Sequence, residues 1–69
     1  MNKEAENTIH DVLYEITGET QSARSCLNVY RTMPESIRSL ANDRGWSDTE
    51  VRESIADFAG ELFEEEDGD

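Results

Sequence analysis

The sequence predicts an all-α fold, a small bundle of about four helices with the third short. Three observations carry this. Apolar residues recur at helical spacing in every segment and nowhere alternate with period two for long enough to make a strand. Gly18, Pro34 and Gly45 divide the chain into four such segments. With 69 residues and 35% hydrophobic content, the chain suits one small domain, and a domain of this length buries only about 60% of its unfolded surface. The stability margin is therefore small, and a helical homodimer is the alternative arrangement should one core not suffice. Residues 1–63 are read as the domain and 64–69 as an acidic tail expected to fray.

The first helix is predicted over about Lys3 to Thr17, where Ala5, Ile9, Val12, Leu13 and Ile16 fall on one face. Gly18 follows as a left-handed stop. The second runs from about Gln21 to Thr32 with Ala23, Cys26, Leu27 and Tyr30 on one face, and it ends before Pro34, which biases Met33 away from helix. The third covers about Pro34 to Arg44 and turns Ile37, Leu40 and Ala41 inward, proline being tolerated in a first turn. For the fourth, Ser47 and Glu50 read as a capping box flanked by Trp46 and Val51, ahead of the stripe Val51, Ile55, Phe58, Ala59, Leu62. Trp46, just past Gly45, is expected to be buried where the third helix ends and the fourth begins.

Charge limits the choice of partner. Seventeen Asp and Glu against six Lys and Arg make the chain −11, and six of those acids lie among the last nine residues. Such a surface repels nucleic acid and anionic lipid and attracts cations over a Debye length of about 8–10 Å. No apolar run approaches the roughly 20 residues of a membrane span, and Met1-Asn2-Lys3-Glu4 has neither the basic nor the apolar region of a secretory signal. A cytoplasmic protein is the expectation. One cysteine, Cys26, excludes an intrachain disulfide and is expected to pack as a small hydrophobe.

Catalytic groups are sparse. His10 is the single histidine and is expected partly exposed beside the apolar stripe of its helix; Ser22, Ser25 and Cys26 have no base nearby in sequence. No calcium-binding loop and no phosphate-binding glycine motif occurs, so no enzyme, cofactor or metal is expected. The turn Gly45-Trp46-Ser47 invites a helix-turn-helix reading, but a recognition helix beginning Asp48, Thr49, Glu50, Arg52, Glu53 would set acids against phosphate. Direct nucleic-acid binding is therefore not expected. Tyr14, Tyr30 and Arg31 are contact candidates if exposed, and Phe63, at the edge of its stripe, is expected to exceed what a monomer covers, which would favour a dimer.

At 100° per residue, Glu50, Glu53, Asp57, Glu61 and Glu64 fall within about 80° of one another, a ridge about 21 Å long opposite the apolar stripe. Glu4, Asp11 and Glu15 make a weaker version on the first helix. Like charges at this spacing cost a few tenths of a kcal/mol per pair, a penalty that a binding role would explain. Carboxylates about 5–6 Å apart resemble phosphates along a strand. The expected function is that of a non-enzymatic inhibitor whose ridge covers a basic, nucleic-acid-binding surface of a partner protein. In general character, though not in motif, the chain is similar to phage and mobile-element proteins that inhibit host nucleic-acid enzymes. The alternative is an adaptor or dimerisation module working through Phe63 and the apolar stripe of the first helix, with the acids serving solubility alone.

Overall fold

The chain enters its first helix through a side-chain cap. Asn2 Oδ1 accepts the amide of Ala5 at 2.7 Å, and helix α1 runs Lys3–Thr17 until Gly18, at φ 75°, turns it off with its own amide donating to the Tyr14 carbonyl. Ser22 caps α2, Ala23–Thr32, by accepting the Ser25 amide at 3.2 Å. Pro34 stands at the head of α3, Glu35–Arg44, which is as long as α2. Gly45, at φ 99°, makes the corner into α4, Thr49–Asp67. The computed structural model describes residues 2–67, with side chains described through Phe63, and these four helices are its regular elements. The expected fraying of 64–69 lies outside that fully described span.

Helix α1 is the central element, packing against α2 on one flank and α4 on the other, while α3 packs on α4. Ile9, Val12 and Leu13 of α1, Cys26 and Val29 of α2, and Val51, Ile55 and Ala59 of α4 make a single core that includes Met33, Ala41 and Trp46. Tyr30, Ile37, Leu40, Phe58, Leu62 and Phe63 pack around it half-buried. The radius of gyration, 11.2 Å, matches the roughly 11 Å of a compact domain of this length. No helix among the described residues is long and apolar enough to cross a membrane.

Trp46 is buried as expected, at 6% exposure, and its ring meets Tyr30 of α2 at 6.0 Å between centroids. Three expectations need correction. In α2, Ala23 and Leu27 face solvent, and the buried face is Cys26, Val29 and then Met33. In α1, Ile16 is exposed at 39% while Thr8 is buried in the stripe. At the start of α4 the cap is Asp48, not Ser47: its Oδ2 accepts the amides of Glu50 at 3.0 Å and Val51 at 3.4 Å. A turn closed by the Asp48 amide on the Gly45 carbonyl brings that carboxylate to the helix end, where the helix dipole favours an anion over a hydroxyl. Glu50, freed from a capping box, reaches Arg44 instead.

Candidate protein-binding surface

Four of the five ridge acids, Glu50, Glu53, Asp57 and Glu61, are exposed on α4; the side chain of Glu64 lies outside the described residues. The ridge is not uniform. Glu50 pairs with Arg44 across the α3–α4 corner, and with the two side chains 59% and 47% exposed this pair is worth about 0.2–1 kcal/mol. Glu53, Asp57 and Glu61 have no ion-pair partner among the described residues.

The acids of α1 join this surface through Arg52. Its Nη2 lies 3.3 Å from Glu15 Oε2 and 3.9 Å from Asp11 Oδ2, tying α4 to α1 across the groove between them. Glu15, Arg52 and Glu53 line that groove together, with Val12 and Ala56 at its floor. What the sequence presents as two separate acidic faces is thus one two-helix surface. Glu4, the remaining acid of the α1 set, is exposed near the start of that helix.

Positive charge collects elsewhere. Residues 20–44 carry four arginines against two acids, a net of +2, which leaves −13 of the chain's −11 for the segments on either side. This asymmetry is legible in the sequence as a composition shift, though the total charge hides it. The four arginines differ in how they are used. Arg44 is paired with Glu50. Arg38 donates from Nη2 to the Tyr30 carbonyl at 2.6 Å and lays its guanidinium over the Tyr30 ring, 4.6 Å from the centroid. It thereby gives the Tyr30 carbonyl, which also accepts the Met33 amide at 3.4 Å, a charged donor at the C-terminal end of α2. Arg24 and Arg31 are exposed on α2 and make no ion pair among the described residues.

The other candidates fall as follows. Cys26 is fully buried, and burial first, then the nearby Glu6 carboxylate, pushes its thiol above the ordinary value; a thiol so held is a packing group and a poor nucleophile. His10 is half-buried at the rim of the α1 stripe. Tyr14 is 55% exposed, whereas Tyr30 is committed between Trp46 and Arg38. Phe63 is half-buried against the core. Among the described residues no three His, Cys, Asp or Glu side chains are gathered where they could hold a metal ion. No protein-family model, no curated protein and no solved structure matches this chain.

Proposed function

We propose that the protein is a non-enzymatic inhibitor that docks the acidic α1–α4 surface on a basic, nucleic-acid-binding surface of a partner protein, in the cytoplasm. One observation carries the reading. Arg44 and Arg52 are already bound to acids of this surface, Glu50, Asp11 and Glu15, so Glu53, Asp57 and Glu61 present their charge outward with no ion-pair partner among the described residues. From Glu53 to Glu61 they extend about 12 Å along the helix, a short row of anions of the kind a phosphate-binding groove accepts. Association should be steered by charge and weaken steeply with salt.

The adaptor reading survives in altered form. Apart from Ile16, the apolar stripe of α1 is consumed in the protein's own core, and Phe63 is half-buried, so an adaptor would have to work through Tyr14, Ile16 and Leu27, the large apolar side chains left exposed among the described residues.

Capture of partners from the native host on the immobilised protein, at low and high salt, separates the two. The acidic reading expects a nucleic-acid-binding protein that is retained at low salt, released at high salt and displaced by duplex DNA. Reversal of Glu53, Asp57 and Glu61 to Lys should leave folding unchanged or improved, since it removes like-charge repulsion, and should lower affinity by orders of magnitude, mainly through the on-rate. A well-folded triple variant that binds the captured partner as tightly as the parent would leave the acids as a solvated face.

A further inference from the structure

In a chain of net −11, the outer face of α2 is basic. Arg24, Leu27, Asn28 and Arg31 recur at i, i+3, i+4 and i+7, one stripe of the helix, and all four are exposed along a shallow groove of about 610 Å³. Arg24 sits in the first turn, where the helix dipole disfavours a cation, so helix stability does not account for it. Helix α3 continues the surface. Glu35, Arg38, Ser39 and Asn42 have the same spacing there and, with Arg31 and Met33, line a second depression of about 410 Å³. Arg31 borders both depressions and joins them.

Three features of the joined groove select its occupant. Arg24, Arg31 and Arg38 line it against one acid, Glu35. Arg38 is already held by the carbonyl and the ring of Tyr30, so it loses little side-chain freedom on taking up a further acceptor. Leu27, 41% exposed, lies on the stripe between Arg24 and Arg31, which stand about 10.5 Å apart along the helix axis. We propose that the α2–α3 groove binds an acidic peptide segment of another protein, in which acidic residues flank an apolar one. Its carboxylates pair with Arg24 and Arg31, its apolar side chain covers Leu27, and a further carboxylate enters the depression of Arg38, Ser39 and Asn42. An extended peptide advances about 3.3 Å per residue, so acids three positions apart span the two arginines of α2.

A peptide fits this groove better than other occupants do. The planar fork of a guanidinium matches a carboxylate, and Glu35 can accept a peptide N–H, a donor that a phosphate backbone lacks. Nucleic acid would set continuous phosphates beside Glu35 and leave Leu27 uncovered. A free phosphate or small carboxylic acid would fill only the smaller depression. The acids of the chain's own residues 64–69 come with no apolar side chain for Leu27. The groove shares no residue with the acidic α1–α4 surface, so the proposal does not rest on the inhibitor reading, and either can fail alone.

The test uses the full chain and a fluorescent synthetic peptide carrying a leucine with glutamates on both sides. At about 0.15 M salt, acids of the protein farther away than a Debye length of about 8 Å are screened. Fluorescence anisotropy should show saturable binding, and amide shift changes in NMR spectra should gather on the α2 and α3 residues that border the groove. Arg31→Glu, at the point the two depressions share, should weaken binding at least about tenfold. Arg24→Glu and Leu27→Ser should each weaken it several-fold, and these two decide should Arg31→Glu not fold. None of the three breaks an ion pair seen among the described residues, so circular dichroism melts should be unchanged or, for Arg24→Glu, raised. Glutamine in place of the peptide's glutamates should abolish binding, and serine in place of its leucine should weaken it. The proposal is overturned by a peptide that never saturates, by folded groove variants that bind as the parent does, or by shift changes that fall on α4. Duplex DNA, or a peptide of residues 64–69, binding more tightly than the leucine peptide would overturn it equally.

Discussion

The pair α1–α4 and the segment α2–α3 are stabilised in different ways. Between α1 and α4 the contact is aliphatic and continuous: Ile9, Val12, Leu13, Val51, Ile55 and Ala59 are at most 2% exposed. The segment α2–α3 contributes smaller groups, Cys26, Val29 and Ala41, and Ile37 and Leu40 reach only half-burial. What the second region lacks in apolar area it replaces with a stack, in which Arg38 of α3 lies on Tyr30 of α2 and Tyr30 meets Trp46 at the α3–α4 corner. Area burial tolerates imprecise packing, whereas a stack of this kind depends on each member. Charge divides the same way, with the acids on the aliphatic pair and the surplus arginines on the stacked segment.

The largest effect is expected at the joint of the two regions. Trp46→Ala removes the ring that links α2 to the corner and should cost about 3–5 kcal/mol, enough to unfold a domain of this size in a thermal melt. An unchanged melting temperature would mean that α4 does not depend on the stack at all.

Arg38→Ala comes next. It deprives the Tyr30 carbonyl of a charged donor and the Tyr30 ring of its cation, for an expected loss of about 1.5–3 kcal/mol. Arg38→Lys should recover only part of it, since a point charge cannot donate to the carbonyl and lie flat on the ring together. Native-state hydrogen exchange gives the sharper reading: protection should fall in α2 and α3 while α1 and α4 keep theirs. Equal loss in all four helices would erase the distinction between the regions.

The smallest effect separates two neighbouring residues. Asp48→Ala should cost about 0.5–2 kcal/mol as a lost helix cap, with faster exchange at the Glu50 and Val51 amides, and Ser47→Ala should cost almost nothing. The reverse order would restore the capping box read from the sequence.

Where a helix is long and its apolar spacing admits one face, sequence and structure agree. Helix α1 is such a case, with Ala5, Ile9, Val12 and Leu13 buried and bounds matching from Lys3 to Gly18. Helix α2 has ten residues and two faces that share Cys26 and Tyr30. One adds Ala23 and Leu27, the other Val29 and Met33, and spacing alone does not choose between them. The acidic ridge was legible because i, i+3 and i+4 neighbours on a helix meet regardless of what the helix packs on. Arg38 was not, because its partner, Tyr30, is eight positions away on another helix.

By itself the sequence determined an all-α chain, its breaks at Gly18, Pro34 and Gly45, a buried Trp46 and an acidic face on α4, since each follows from local backbone preference or from periodicity within one helix. Only the tertiary structure decided which face of α2 is buried, that Asp48 and not Ser47 caps α4, that Arg52 ties the acids of α1 to α4, and that Arg24 and Arg31 have no ion-pair partner among the described residues. The reason is physical: apolar burial and ion pairing between helices are settled by what the neighbouring helix presents, and that information lies many residues away along the chain.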